Sequence, residues 1–237
     1  MSKLESLSCI LLAGGRGSRL GKVTANIPKP LVRVGKYSLL EHNLFYLRDF
    51  GIKNLIISIG YKGNAIKEYL GKGDKYGMKI NYVSDPYPLG DAGAFKFIYK
   101  DIGKRVILAN ADEIRVGLDL EKMLEFHQEK EAIATLALIK KAEAKLNDIA
   151  EINNKKRITR FIINASAKET YSNLTYAGLY FMEKEVLECI PKKECLMTGV
   201  IGEVVKSKKF YGFVFNGKYF NVGTENILKK ARKYFHY

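Results

Sequence analysis

A short segment near the start of the chain combines glycines, a hydroxyl and guanidinium groups. The apolar run Ser8–Ala13 leads into it, and the segment ends at Leu20. Its small and polar residues are Gly14, Gly15, Arg16, Gly17, Ser18 and Arg19. Glycines allow backbone N–H groups to approach an anion closely, and guanidinium groups add paired, charge-assisted hydrogen bonds. These residue types at this spacing are typical of a loop that binds a triphosphate.

Two common phosphate-binding patterns do not fit this loop. The dinucleotide fingerprint G-x-G-x-x-G fails because Leu20 stands where a third glycine is needed after Gly15 and Gly17. The pattern G-x-x-x-x-G-K-[ST] is also absent from the sequence. A dinucleotide site and a Walker-type site are therefore disfavoured, and a plain glycine turn with exposed arginines stays open as the alternative.

A lysine between two prolines follows the loop. Pro28 and Pro30 restrict the backbone on both sides of Lys29, so the lysine side chain has a narrow range of directions. A cation held in a fixed direction suits the α-phosphate of a nucleotide under attack. Lys29 is therefore a candidate catalytic residue.

A carboxylate stands directly after a later apolar run. The run 105–109 has the composition of a buried strand, and Asp112 follows it. Mg²⁺ prefers hard carboxylate oxygens, with phosphate oxygens and water completing its shell. Asp112 is thus a candidate metal ligand, and the alternative is an aspartate that caps the next element or pairs with a basic side chain.

The elements around these residues alternate between strands and helices. Ser8–Ala13 and 55–59 are short apolar runs that end at glycines, and 39–50 places leucines and Asn43 at helical spacing before Gly51. This order predicts a βαβ unit. The alternation continues with a helix at 65–70, a strand at 80–83, a helix at 93–99 and a strand at 105–109. We therefore predict an α/β fold with a doubly wound, mainly parallel sheet.

Ligands of such open sheets bind beyond the carboxyl ends of the strands. The loops expected to share one cleft follow Ala13, Gly60, Val83 and Ala109. The second half is expected to be mixed and rich in β-structure, because full helices do not separate its strands. These strands are predicted at 133–139, 149–152, 157–163 and 175–182, before a closing basic helix at 227–235. One domain over residues 1–237 is expected.

The composition limits the classes of function. The net charge is +15, from 40 Lys and Arg against 25 Asp and Glu, but the lysines are scattered. This charge could serve nucleic acid, an anionic surface or an anionic small-molecule substrate, but the scattered lysines favour a solvated basic surface, with nucleic-acid binding as a minor alternative. The chain has three cysteines, and no two of them form a C-x-x-C pair, which argues against a disulfide framework or a zinc site. Neither a signal peptide nor a membrane span is predicted, so a cytoplasmic protein is expected.

Two motifs together resemble a known family. The run LAGGRGSRL and the later Pro28–Val34 segment resemble the signature of the sugar-phosphate nucleotidyltransferases. Further similar elements follow in family order, at Gly60–Tyr61, Pro88–Ala94, Asn110–Asp112, Ala177–Tyr180 and Asn221–Thr224. The resemblance covers nearly the whole chain and is nearest to the short N-acetylmuramate, mannose and heptose 1-phosphate nucleotidyltransferases.

The resemblance implies a Rossmann-like, GT-A-like fold and transfer of a nucleotidyl group from a nucleoside triphosphate to a sugar 1-phosphate. It implies Mg²⁺ as cofactor and no nucleic-acid or membrane partner, and it leaves a homo-oligomer open. The implied catalytic residues are Arg19, Lys29 and Asp112, with Asp112 and Asn221 as metal ligands. The implied substrate-binding residues are Leu12, Ala13, Gly14, Gly15, Gly17, Ser18, Gly90, Asp91, Tyr176 and Gly178. Among them, Gly14, Gly15 and Gly17 are implied for the triphosphate, Gly90 and its neighbours for the nucleobase region, and Tyr176 and Gly178 for the sugar.

The sequence departs from the family at several positions. Asn221 replaces the usual aspartate, which leaves a neutral oxygen donor and predicts weaker metal binding. A Glu-Lys-Pro element that grips the sugar phosphate is missing after Phe161, and Tyr176 replaces an asparagine and is predicted to stack on the sugar. Asn221 and the missing Glu-Lys-Pro motivate one rival hypothesis, a nucleotide sensor without turnover. A basic nucleic-acid-binding protein and a choline phosphate cytidylyltransferase with a similar loop are the other two.

Overall fold

A computed structural model describes residues 4–84, 102–141, 147–166, 168–188, 197–206 and 209–236 of the chain. The chain divides into two compact units. The first unit comprises Met1–Tyr87, Leu108–Arg115 and Tyr219–Tyr237, and the second comprises Pro88–Ile107 and Val116–Lys218. The first unit is therefore built from three separate stretches of sequence.

The strands and helices have the following bounds. The strands are β1 (Ser8–Ala13), β2 (Arg33–Val34), β3 (Tyr37–Ser38), β4 (Asn54–Ile59), β5 (Lys79–Ser84), β6 (Arg105–Asn110), β7 (Glu113–Val116), β8 (Ala134–Lys140), β9 (Asn147–Ile152), β10 (Ile158–Ala165), β11 (Leu174–Glu183), β12 (Phe210–Phe215) and β13 (Lys218–Asn221). The α-helices are α1 (Leu39–Asp49), α2 (Gly63–Leu70), α3 (Leu120–Glu129), α4 (Glu185–Glu188), α5 (Met197–Lys206) and α6 (Glu225–Tyr234). The predicted helix at 93–99 lies outside the described residues.

The sheet of the first unit is parallel, as predicted. β1 pairs with β4, and β4 pairs with β5, so that Ala13 lies opposite Ile59 and Ile59 opposite Ser84. The three strands therefore end at the same level. In β4, every residue after Asn54 is buried. Tyr61 N–H donates to the Gly14 carbonyl at 3.2 Å, which joins the loops after β1 and β4. The predicted meeting of these two loops at one edge of the sheet is confirmed.

Helix α1 begins with a capping box. The Ser38 side chain accepts a hydrogen bond from Glu41 N–H, while the Glu41 carboxylate accepts from Ser38 N–H at 2.9 Å. Tyr69 and Tyr76 also donate their hydroxyls to the same carboxylate, at 3.0 and 3.1 Å. The apolar face of α1 is buried as its spacing predicts, and Gly51 follows the helix with a φ of 85°. The amino-terminal end of α1 is thus tied to two neighbouring segments.

The second unit is mixed, also as predicted. β8 runs antiparallel to β11 and parallel to β12, while β9 runs antiparallel to both β10 and β11. The sequence patterns did not predict α3 or β12. The signal for α3 is present, because Asp119 caps the helix and Leu120, Met123 and Leu124 form its buried face. β12 contains Gly212, which weakens a strand pattern.

The second unit also buries His127. One ring nitrogen, Nδ1, lies 2.8 Å from Thr135 Oγ1, and Nε2 lies 3.0 Å from Glu183 Oε1. Burial lowers the pKa of His127 from its ordinary value, although the Glu183 carboxylate acts in the opposite direction. The residue is fully buried, so His127 belongs to the interior of the second unit.

Within the described part of the chain, no helix has the length and apolar character required to cross a bilayer.

The capping carboxylate of α1 generates a prediction about stability. Burial acts to raise the pKa of Glu41, but the hydrogen bonds from Ser38, Tyr69 and Tyr76 outweigh it, and the pKa is lowered. A carboxyl group with a lowered pKa in the folded state stabilises the protein above its unfolded pKa of about 4.3. We therefore expect Glu41→Gln to lower the free energy of unfolding by about 1–2 kcal/mol at neutral pH, because neutral hydrogen bonds replace charged ones.

Urea unfolding of wild type and variant between about pH 7 and about pH 3 measures this effect. The difference between the two proteins should shrink as the pH falls through the folded-state pKa of Glu41. Glu68→Gln on the exposed face of α2 is the matched control and should match wild type throughout. An equal loss in both variants would contradict the role given to Glu41.

Candidate functional site

The glycine loop lies at the carboxyl edge of the parallel sheet of the first unit. Gly14 and Gly60 approach so closely that a Cβ added to Gly60 would lie 2.7 Å from the Gly14 carbonyl oxygen. Gly14, Gly15 and Ser18 are exposed, whereas Ala13 is buried and Leu12 half-buried. The loop therefore presents its polar backbone groups to solvent while its amino-terminal end is anchored in the sheet.

Gly17 closes the loop and touches Lys29. Its φ is +67°, and an added Cβ would lie 2.8 Å from the Lys29 Cβ. A 3₁₀ turn follows at Ser18–Thr24, and the Thr24 hydroxyl donates back to the Gly17 carbonyl at 3.0 Å. Position 17 therefore requires glycine for two reasons. Its backbone conformation is left-handed, and the neighbouring lysine leaves no space for a side chain.

Lys29 is held as its flanking prolines predict. Pro28 is extended with φ −66° and ψ 144°, and a 3₁₀ turn at Lys29–Leu31 follows. The lysine is buried, with only 6% of its surface exposed. Its ammonium group forms an ion pair with the Asp112 carboxylate. The structure thus brings together two of the predicted catalytic residues, and the pairing of Asp112 with a basic side chain, named above as an alternative, is observed.

Arg19 and Asn221 meet beside Gly223. The position of an added Cβ on Gly223 is 3.3 Å from Arg19 Nη2 and 3.4 Å from Asn221 Oδ1. Val222 N–H donates to the Asp112 carbonyl at 3.3 Å, so the segment after β13 runs next to Asp112. All the predicted catalytic and metal-binding residues of the first unit therefore lie in one region.

A buried polar cluster next to Asp112 was not predicted from the sequence. Glu113 and Arg115 are 5% and 4% exposed, and Asn43 is 3% exposed. Burial, followed by the negative charge of Asp112, raises the pKa of Glu113 to about 7. Burial also raises the pKa of Tyr219, which hydrogen-bonds Glu113. The available sequence signals were an asparagine on the apolar face of α1 and an arginine in a strand next to the apolar run of β6.

The predicted sugar-binding residues lie in the second unit. The Tyr176 ring stacks on Tyr180 with centroids 5.0 Å apart and an interplanar angle of 16°, and Phe161 meets it edge-on at 6.1 Å. Only 6% of Tyr176 is exposed, so little of its ring is available for stacking on a sugar. Gly178 has a φ of +65°, in an irregular part of β11. The sugar-binding roles of both residues stay predictions.

Gly90 and Asp91, predicted for the nucleobase region, lie outside the described residues.

The oxygen donors near Lys29 fit a magnesium ion better than a zinc ion. Asp112 and Asn221 offer one carboxylate and one amide oxygen, and 31% of the Asp112 side chain is exposed. Within the described ranges no group of three or more His, Cys, Asp or Glu residues could hold a metal. Mg²⁺ is commonly held by one or two protein carboxylates together with phosphate oxygens, so a small donor set is sufficient.

This arrangement of charges can stabilise a phosphoryl group. Exposed glycine N–H groups, the Arg19 guanidinium and the Lys29 ammonium provide donors and positive charge on one side of the first unit. Preorganised donors and cations are the main requirement for phosphoryl transfer, because negative charge spreads over the phosphate oxygens in the transition state. The site is therefore suited to binding and activating a polyphosphate.

The chain is similar to known proteins over almost its whole length. The sequence model of the nucleotidyl transferase family matches residues 8–235. A D-glycero-alpha-D-manno-heptose 1-phosphate guanylyltransferase of Aneurinibacillus thermoaerophilus is 31% identical over 230 residues, which cover 96% of this chain and 97% of that protein. A mannose-1-phosphate guanylyltransferase of Mycobacterium tuberculosis is 24% identical over 224 residues. The matched region covers 93% of this chain but only 62% of that relative.

The fold is shared with a solved structure, HddC from Yersinia pseudotuberculosis. The two chains superpose with a TM-score of 0.83 at 24% sequence identity, over 97% of this chain and 99% of HddC. The predicted α/β fold is thereby confirmed.

The contact between Gly17 and Lys29 generates a prediction. Gly17→Ala should lower the free energy of unfolding by about 2 kcal/mol, because alanine is strained at positive φ and its methyl group would displace the Lys29 side chain. Thermal or urea unfolding measures the loss. Gly103→Ala is the matched control, since an added Cβ there meets nothing within 4 Å. Equal stabilities of the two variants would show that the contact does not constrain the site.

Proposed function

The chain belongs to the nucleotidyl transferase family, and from this membership we propose how its first unit performs nucleotidyl transfer. The reaction joins a nucleoside triphosphate to a sugar 1-phosphate. A phosphate oxygen of the sugar phosphate attacks the α-phosphorus, the bond between the α-phosphorus and the bridging oxygen breaks, and pyrophosphate leaves. The observation that carries this proposal is the ion pair between buried Lys29 and Asp112. The Lys29 side chain also packs against Gly17 of the glycine loop.

Arg19 and Lys29 are proposed to neutralise the charge that moves onto the departing pyrophosphate. Lys29 is buried and fixed by its backbone turn, so its ammonium group changes position little during the reaction. A preorganised cation is worth more than a mobile one, because no reorganisation is needed in the transition state. The attacking phosphate oxygen is already ionised near neutral pH, and the reaction requires no general base from the protein.

Asp112 and Asn221 are proposed to hold a magnesium ion. Magnesium, when bound, would neutralise negative charge on the phosphate oxygens. Asp112 also has a second role, since its carboxylate compensates the charge of buried Lys29. Asn221 contributes a neutral oxygen, and the positive Arg19 guanidinium lies beside it. We therefore propose a site with weaker metal binding than one with two carboxylates.

The substrate class is proposed from the relatives. The heptose 1-phosphate guanylyltransferase of A. thermoaerophilus and the mannose-1-phosphate guanylyltransferase of M. tuberculosis share a nucleobase and act on related sugars. We therefore propose GTP and a 1-phosphate of a manno-configured hexose or heptose as the first pair to test. The net charge of +15 is compatible with these anionic substrates. We propose no nucleic-acid or membrane partner, and a cytoplasmic location that fits the use of a nucleoside triphosphate.

Removal of the fixed cation tests the proposal. Lys29→Ala should lower kcat/KM for pyrophosphate release about 10²–10³-fold, as expected for loss of one preorganised transition-state donor. Release is measured with Mg²⁺, each of GTP, UTP, ATP, CTP and dTTP, and a panel of sugar 1-phosphates. Lys36→Ala removes an exposed lysine from the same segment and should keep wild-type activity. Wild-type rates in Lys29→Ala would disprove this mechanism.

The neutral residue at 221 allows a gain-of-binding experiment. Asn221→Asp should lower the Mg²⁺ concentration required for half-maximal activity roughly tenfold, because a carboxylate binds Mg²⁺ more strongly than an amide oxygen does. Asn216→Asp adds the same charge at an exposed position before β13 and serves as control. An unchanged Mg²⁺ dependence in Asn221→Asp would exclude residue 221 as a ligand.

A further inference from the structure

Asn43 connects helix α1 to the loop that carries Asp112. Its amide nitrogen lies 3.0 Å from the Glu113 carbonyl oxygen and 3.3 Å from the Ala111 carbonyl oxygen. It also donates to the Leu39 carbonyl of its own helix, at 2.9 Å. The two carbonyls outside the helix belong to the residues on either side of Asp112. One buried side chain therefore holds the backbone both before and after the proposed metal ligand.

Arg115 orients Asn43. Its Nη1 donates to Asn43 Oδ1 at 2.8 Å, so the amide nitrogen of Asn43 must face the two carbonyls. Its Nη2 donates to the Asn110 carbonyl at 3.1 Å. The guanidinium group thus binds both the residue that holds the loop and the first residue of the loop.

Glu113 and Tyr219 extend this network to the second metal ligand. The Glu113 carboxyl group lies 4.0 Å from the Arg115 guanidinium, and it accepts a hydrogen bond from Asn110 Nδ2 at 3.2 Å. The Tyr219 hydroxyl also hydrogen-bonds this carboxylate. Tyr219 belongs to β13, which pairs with β7 and ends at Asn221. The network therefore joins the segments that carry Asp112 and Asn221.

The backbone of the Asp112 loop is fixed at every carbonyl. Four consecutive carbonyls accept a hydrogen bond, from Asn110 and Ala111 through Asp112 to Glu113. The donors are Arg115, Asn43, Val222 and again Asn43. Ala111 N–H also donates to the Leu12 carbonyl of β1, at 3.0 Å. Because these bonds restrain the backbone on both sides of Asp112, the Cα–Cβ bond of Asp112 has a defined origin and direction.

We propose that Asn43, Arg115, Glu113 and Tyr219 are positioning residues that hold Asp112 and Asn221 in the arrangement required to bind the metal. This inference rests on the proposed function, because it assigns the network to the metal of that reaction. A buried polar network seldom stabilises a protein more than apolar side chains of the same volume would. A gain in protein stability is therefore a weak explanation for the presence of this network. Residues that orient metal ligands commonly change metal affinity 10–100-fold when they are replaced.

Conservative substitutions separate positioning from stability. Tyr219→Phe removes one hydroxyl from the Glu113 carboxylate, and Tyr76→Phe removes a similar hydroxyl from the Glu41 carboxylate elsewhere in the first unit. Arg115→Lys keeps the positive charge beside Glu113 but loses the forked contact. Arg105→Lys makes the same change in the ion pair with Glu183 in the second unit. Each network variant thus has a control with the same chemical change at a carboxylate away from the proposed metal ligands.

Binding of Mn²⁺ in the presence of GTP and the absence of any sugar phosphate is the first measurement, by electron paramagnetic resonance. We expect Tyr219→Phe and Arg115→Lys to weaken Mn²⁺ binding roughly tenfold or more, and both controls to bind Mn²⁺ as wild type does. Melting temperatures, measured in parallel, should fall to a similar extent in each variant and its control. Pyrophosphate release with Mg²⁺ is measured as a separate assay.

The outcomes distinguish the positioning role of the network from the proposed function. Wild-type Mn²⁺ affinity in Tyr219→Phe and Arg115→Lys would overturn the positioning role, and so would an equal loss in the controls. A wild-type protein that binds no Mn²⁺ with GTP would overturn it as well. A wild-type protein that binds Mn²⁺ with GTP but releases no pyrophosphate with any sugar 1-phosphate would instead overturn the proposed function. In that case weaker Mn²⁺ binding in the network variants would still support their positioning role.

Discussion

The buried ammonium group of Lys29 is the constraint on which the rest of the site depends. An unpaired charge in a protein interior costs several kcal/mol, so a lysine with 6% exposure requires a negative partner. Asp112 supplies that partner, and the loop around Asp112 must therefore be placed accurately. The absence of a side chain at Gly17 allows the lysine to pass beneath the glycine loop. The loop, the lysine and the carboxylate thus depend on one another.

Asn221 alters the charge balance of this arrangement. Two carboxylates facing Lys29 and Arg19 would give a locally neutral site before any substrate bound, whereas one carboxylate leaves an excess positive charge. A positive site attracts the triphosphate more strongly and the metal less strongly. In the proposed reaction, Asn221 therefore leaves more of the phosphate charge to be neutralised by the protein's own cations. Of these cations, Lys29 is buried and held by its backbone turn before any substrate arrives.

Local patterns were sufficient to predict β1, β4, β5 and α1, because strand and helix periodicity is written in neighbouring residues. The glycine loop and Lys29 were also singled out from residue types and spacing, and the structure brings them into contact. The contacts that position them were not, since Asn43 lies 70 residues before Glu113 and 72 before Arg115 in the chain. From the sequence, Asn43 could be predicted only as one position on the face of a helix. Which distant carbonyl a buried amide binds is decided by tertiary packing, and a single sequence contains no direct record of it.

The three stretches that form the first unit each contribute one part of the site. Lys29 comes from the first stretch, Asp112 from the second and Asn221 from the third. None of these stretches can form the site alone, because the buried lysine needs the second and the Asp112 carbonyl is bound by Val222 of the third. The buried network of Asn43, Arg115, Glu113 and Tyr219 joins the same three stretches. The contacts that hold the three stretches of this unit together are therefore the same contacts that bring Lys29, Asp112 and Asn221 into one region.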